Sequence, residues 1–379
     1  MKKIFYSLLA CVVAVMVVSG CKKDKTLNHT NVSAVSTLFA PENNKFVKIA
    51  SGASGAVSFE WEQARAEDNG LVLYEVAFDK EGGDFSHPLY STPSDGNGLY
   101  NKLSLSFSDL NKIATSAGVK PQESGKVIWT VMSSKGINVQ KSAQVRTVEI
   151  QRPAGFTDIP TELYLTGSAT EGGEDLSKAI KLKLTAPGKF EAFTSLKAGT
   201  YHFADRNTGT PSTFSYDGTK LTEEGNTTVT GATKVQRIEV DFNVASFKVT
   251  EVVSVGLWFA ADNKIWYDLP YKAAGVWEID GASVVFHQES WGRDERYKFR
   301  FTFKDAAGAT STQYYGSVNS DNSRPDANTP ASFYYMVPVN SNQYDYCFKF
   351  TGAADNKTAD IKVDFSANGP AYTHSVTVK

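Results

Sequence analysis

Tyr297-Lys298-Phe299-Arg300-Phe301-Thr302-Phe303-Lys304 alternates an aromatic ring with a polar or charged side chain at every step. Successive side chains on an extended chain point to opposite faces, so this run gathers its rings on one side and Lys298, Arg300, Thr302 and Lys304 on the other. That is the period of a half-buried strand. Similar blocks recur around it: Leu163-Tyr164-Leu165 corresponds to Leu257-Trp258-Phe259, Gly188-Lys189-Phe190-Glu191 to Gly275-Val276-Trp277-Glu278, Tyr201-His202-Phe203 to Tyr297-Lys298-Phe299, and Ile238-Glu239-Val240-Asp241-Phe242 to Ile361-Lys362-Val363-Asp364-Phe365. Matches in the same order predict one β-sandwich used twice, over residues 161–251 and 252–379. The last pair is spaced more widely than the others, so the second copy carries an insertion between Phe303 and Asp360.

Upstream, Val57-Ser58-Phe59-Glu60-Trp61, Val72 to Phe78, Val127-Ile128-Trp129-Thr130-Val131 and Val145 to Ile150 are short segments rich in β-branched and aromatic residues, with turn residues between them. Ser108 to Ala114 differs: Leu110, Ile113 and Ala114 have helical spacing behind a capping Ser or Asp. The expectation for residues 38–152 is an immunoglobulin/fibronectin-like sandwich with one short helix, Trp61 and Trp129 filling the space between its sheets. Two prolines and a glycine between Arg152 and Pro160 mark the boundary that follows. The fold class is therefore all-β, with two β-sandwich modules in tandem behind the first domain.

The amino terminus has its own signal. Lys2 and Lys3 precede an apolar stretch from Ile4 to Val18, closed by Ser19-Gly20-Cys21. The stretch is shorter than the ~20 apolar residues of a spanning helix and reads as a secretory signal. Residues 1–20 resemble a lipoprotein signal peptide, with Cys21 as the lipidated first residue of the mature chain and residues 21–37 as a flexible polar tether. After cleavage Cys347 is the free thiol, expected to be buried and structural.

A net charge of -2 over 379 residues sets nucleic-acid binding aside. The aromatic fraction is 12%, and tryptophans concentrate between Trp258 and Trp291. Trp258 and Trp277 fall on the repeated strands and are assigned to the core. Trp266, Trp291 with Arg293, Tyr315, Asn322 and Arg324 combine flat rings with planar polar groups, the chemistry of a sugar-binding surface. The apolar C–H face of a pyranose rests on a ring while amide, carboxylate and guanidinium groups take its hydroxyls. Arg293, Asp294, Glu295 and Arg296 serve equally well as a salt-bridge cluster. In the first copy, Tyr201, Phe203 and Arg206 offer a weaker second site, the two rings more readily placed inside.

Catalysis finds little support. Asp294 and Glu295 are adjacent and point to opposite faces of an extended chain, whereas glycoside hydrolysis needs two carboxylates ~5–10 Å apart across a cleft. His29, His87, His202, His287 and His374 lack metal-ligand spacing, and Gly-x-Ser-x-Gly is absent. No cofactor is expected. Asp321, Asn322 and Asp326 hold oxygens suited to calcium but not the spacing of a dedicated loop.

Taken together, Cys21, Phe59-Glu60-Trp61-Glu62, Val76-Ala77-Phe78-Asp79, Leu163 to Ala169, Leu196 to Phe203 and the strand from Ile238 to Phe242 resemble the SusE/SusF-type surface glycan-binding lipoproteins of Bacteroidetes. The resemblance implies an immunoglobulin-like spacer and carbohydrate-binding sandwiches, lipid-anchored at the outer membrane and exposed at the cell surface. It also implies SusC-like and SusD-like outer-membrane partners in polysaccharide or oligosaccharide uptake, with no catalysis. Members with a strong site place a Trp after paired glycines, where this chain has Glu174 behind Gly172-Gly173. The alternative function is an adhesin or structural surface lipoprotein that binds a protein, and a glycoside hydrolase comes third.

Overall fold

The computed structural model describes residues 31–379, which form two compact units: residues 31–48 with 55–152, and residues 49–54 with 153–379. The signal peptide and Cys21 lie outside the described residues. The described chain is almost entirely β, as the alternation predicts.

The first unit is a sandwich. Leu38–Ala40, Ala56–Trp61 and Lys102–Ser106 form one sheet; the other is built from Lys45–Lys48, Arg146–Gln151, Ser124–Lys135, Leu73–Lys80 and Tyr90–Pro93, with Asn138–Lys141 on its flank. Phe59 meets Phe78 and Trp129 edge to face at 5.2 and 4.9 Å, and Trp61 and Trp129 are fully buried. The helix runs Phe107–Ser116 and buries Leu110, Ile113 and Ala114. Ser106 caps it by accepting from the Asp109 N–H. Replacing Ser106 with Ala should cost about 1 kcal/mol in a chemical-denaturation series, because one helical N–H loses its acceptor.

In the second unit, the expected boundary segment is packed down. Phe156 lies 5.4 Å from Phe214 and 5.1 Å from Phe242, and its N–H donates to the Phe242 carbonyl. A Cβ on Gly155 would sit 2.1 Å from the Phe242 oxygen, so glycine alone allows this approach.

The repeated blocks adopt one geometry twice. Phe190 faces Val240 across Lys189–Leu196 and Lys234–Asp241, and Trp277 faces Val363 across Val276–Val284 and Lys357–Asp364. Gly188 accepts from the Phe242 N–H at 2.9 Å, and Gly275 from the Phe365 N–H at 2.8 Å. The copies share a long strand, Ser246–Phe259, which pairs with Lys234–Asp241 through its first half and with Arg296–Lys304 through its second. One nine-stranded sheet therefore runs through both copies. Lys189–Leu196 is covered on both faces: Phe190 and Ala192 enter the first copy's core and Phe193 the second's.

His374 is buried in that second core, 4.2 Å from the Phe348 ring. Its ring nitrogens lie 2.8 Å from the Tyr297 hydroxyl and 3.1 Å from the Tyr334 carbonyl. Those partners fit a neutral imidazole donating through Nδ1 and accepting through Nε2. Burial pushes its pKa down from 6.5 to about 3. A depressed pKa gives stability that is complete above the unfolded value and is lost as pH falls toward the folded one. The second unit should therefore lose up to ~1.4 kcal/mol per pH unit below about 6.5 through this residue. Denaturation midpoints at stepped pH check this, and His374→Gln should flatten the slope.

Candidate functional site

One end of the last sandwich gathers its exposed rings. Three segments build it: the turn after Ser246–Phe259, the hairpin His287–Glu289 with Gly292–Asp294, and the loop 340–345. Asp262 joins the first two. One carboxylate oxygen accepts from the Trp266 indole N–H at 2.9 Å, and the other lies 2.8 Å from His287 Nδ1. Burial alone raises the Asp262 carboxyl, but the hydrogen bonds from Trp266, His287 and Lys264 outweigh it and hold the group below the usual carboxylate range. The Trp266 ring stacks on buried Phe259 at 3.6 Å, leaving it half-buried. Beside it opens a cleft of about 500 Å³, lined by Lys264, Trp266, Tyr267, Ser283, His287 and Gln288 among others.

Trp291 stands at the hairpin tip, 65% exposed, and among the described residues it is the one tryptophan with an exposed ring. The Arg296 guanidinium lies between two rings, 5.9 Å from Trp291 and 4.3 Å from Tyr344, which is 42% exposed. Buried Asp294 grips that guanidinium through both carboxylate oxygens. The hydrogen bonds that Arg296 donates to Asp294 raise its pKa, so its charge is permanent.

The loop bearing Tyr344 is held from beneath. Fully buried Lys298 donates to the carbonyls of Asn340, Asn342 and Asp345 at 3.2, 2.5 and 3.4 Å. Its ammonium also lies 5.1 Å from the Trp258 ring and 4.9 Å from Tyr314. Gln343 adds a bond to the Ala260 carbonyl at 2.8 Å, tying the loop to the turn that carries Asp262. A platform of rings fixed in this way loses little freedom when a ligand settles on it.

Residues 23–132 match the family model "SusE outer membrane protein". The amino-terminal domain is similar to SusE. Among solved structures, SusF from Bacteroides thetaiotaomicron is similar at 10% identity, over 92% of this chain and 77% of that one, with a TM-score of 0.26. Extracellular domains 3–5 of Drosophila OTK are similar at 9% identity, over 74% and 98%, with a TM-score of 0.17. No curated protein matches the chain.

Behind the SusE-like domain, the sequence candidates divide. Trp291 is exposed and Trp266 lines the cleft. Tyr315 is a correction: it sits opposite Phe299 in its strand pair and so points inward, 4.7 Å from Phe301 and 4.8 Å from Phe365. Asn322 is a second correction, 5% exposed, its amide donating to the Cys347 carbonyl at 3.0 Å. Arg293 is bound to Asp355 at 2.7 Å and Arg324 to Glu295 at 2.7 Å. The charge cluster of this region is thus a set of ion pairs, Arg293 and Glu295 joined to distant residues and Asp294 to Arg296 within the cluster.

In the first copy Tyr201 and Phe203 are buried and Arg206 pairs with Asp205. Its glycine-rich loop has a structural task. Glu171 accepts from the Tyr271 hydroxyl at 2.5 Å and the Ala274 N–H at 2.8 Å, binding it to the second copy. Burial pushes the Cys347 thiol up to about 11, in keeping with an inert packing role. Tyr344, Arg296, Asp262 and His287 were not among the sequence candidates. Tyr344 reads as core in the run Tyr344 to Phe348, and His287 has no partner nearby in sequence.

Proposed function

We propose that this chain is a non-catalytic surface protein that holds extracellular polysaccharide or oligosaccharide on the end of its last sandwich. The exposed pair Trp291 and Tyr344 around a fixed guanidinium, next to the Trp266 cleft, carries the reading. A pyranose stacks on such rings, and the Gln288, Lys264 and His287 side chains in the cleft suit its hydroxyls. The ligand is an uncharged glycan, because Arg293, Arg296 and Arg324 are already matched by Asp355, Asp294 and Glu295.

The SusE match supports the rest of the setting: an outer-membrane location at the cell surface, anchorage through lipid on Cys21, and work beside SusC-like and SusD-like partners in uptake. No helix among the described residues is long and apolar enough to cross a membrane. The test is retention of the full chain on a glycan array together with assay of reducing-sugar release. Retention without release is expected. Release of sugar from a retained glycan would make the protein a hydrolase, and retention of proteins alone would make it an adhesin.

A further inference from the structure

The rim of the first domain carries aliphatic side chains that nothing in the fold covers. Leu71 and Ile137 are 79% and 82% exposed, the second on the hairpin turn joining Ser124–Lys135 to Asn138–Lys141. Gly136 supplies the positive φ that the turn requires. Gly, Asn and Asp are the favoured residues in such turns, and a β-branched side chain at the tip brings the fold no benefit. Leu73 and Val139 extend the rim in one row, since each pairs with Ser134 across its strand. Leu73 also lies beside Gly98, whose neighbours Leu99 and Tyr100 are 46% and 56% exposed. Isolated apolar residues on a surface are ordinary; a contiguous set is a docking surface.

The same rim receives the chain from its amino terminus. Asn31 exchanges hydrogen bonds with Glu67, Val32 bridges Ala66, and Ser133 donates to the Ser33 carbonyl at 2.7 Å. Asp68, next to Glu67, pairs with Lys135, two residues before Ile137. Cys21 precedes Asn31 by ten residues, a span of at most ~35 Å when extended. The intervening Lys22 to Thr30 holds one apolar residue, Leu27, and three lysines.

We propose that this rim rests in the interfacial layer of the lipid leaflet to which the chain is tethered, with Leu71 and Ile137 inserted. The proposal rests on the lipid-anchor reading of Cys21 and is independent of glycan binding. Lipid fits the rim better than a protein does. Aliphatic side chains on protruding tips, a ring such as Tyr100 at their edge and lysines on the approach are the makings of an interfacial contact, whereas protein hot spots favour Trp and Arg in packed pockets.

The test floats the full mature chain carrying Cys21→Ser, and so free of acyl groups, with vesicles of phosphatidylethanolamine and phosphatidylglycerol. The expected result is measurable flotation that falls by about fivefold or more in the Leu71→Ser/Ile137→Ser variant, which removes apolar area without touching the core. Equal flotation of the two proteins, or none by either, overturns the proposal. So does shielding of residues 68–73 and 134–139 from hydrogen exchange only when outer-membrane proteins are added, which assigns the rim to a protein. Flotation lost with the variant while cellular Cys21 proves unmodified by mass spectrometry supports the rim and overturns the anchor alone.

Discussion

Replacing Trp291 with Ala is expected to weaken binding of a retained glycan by about 10- to 100-fold, the equivalent of the ~1.5–3 kcal/mol that a large apolar side chain gains on burial. Tyr344→Ala should cause a loss of similar order, since the two rings flank one guanidinium. Neither substitution should alter stability by more than ~0.5 kcal/mol, because both rings are exposed and stand outside the core. Tyr315→Ala is the informative contrast. That ring lies between Phe301 and Phe365, so its removal should lower stability and leave the affinity of the folded fraction unchanged. Isothermal titration of the folded variants separates the two effects.

Phe193→Ala is expected to destabilise the second unit by about 3–5 kcal/mol, in the range of buried Phe truncations. The ring belongs by sequence to the first copy, yet lies 5.1 Å from Phe365 and 6.0 Å from both Trp277 and Tyr372 in the core of the second. Arg237, also from the first copy, covers it at 5.9 Å and pairs with Glu191. With Ser246–Phe259 common to both copies, neither core closes without the other. A chain cut at residue 252 would leave Phe193 behind and expose the sheet edge where Lys234–Asp241 pairs, so it should not fold to a stable module. Calorimetry of the full chain should show the two copies melting together in one transition, whatever the first unit does, and separate transitions for the two copies would contradict the shared core.

Alternation made the strands legible, because period-two patterning needs only local sequence. Trp61, Trp129 and Trp277 lie where that pattern puts them, inside, whereas Trp258 alternates away from Leu257 and Phe259 and is buried on the other face of its strand beside Cys347 and Tyr314. The helix was legible from Leu110, Ile113 and Ala114, but its cap is Ser106, and Ser108 of the expected start lies inside the first turn. The candidate site was only partly so. Tyr314 and Tyr315 are adjacent, and only the pairing of Tyr315 with Phe299 decides which ring enters the main core. Arg293 and Arg324 look available until the fold brings Asp355 and Glu295 to them, from 62 and 29 positions away. Tyr344 sits among residues that pack inward, and its exposure follows from a loop held by Lys298 on a distant strand. Local pattern tells buried from exposed faces well, and pairings across the fold poorly.

The most direct measurement is hydrogen exchange of the full chain, with and without an oligosaccharide cut from a retained glycan. Slowed exchange should concentrate in residues 262–268, 287–296 and 342–346. Slowing confined to the first domain or to residues 161–251, with those three segments unchanged, would contradict a glycan seat on the Trp291 end.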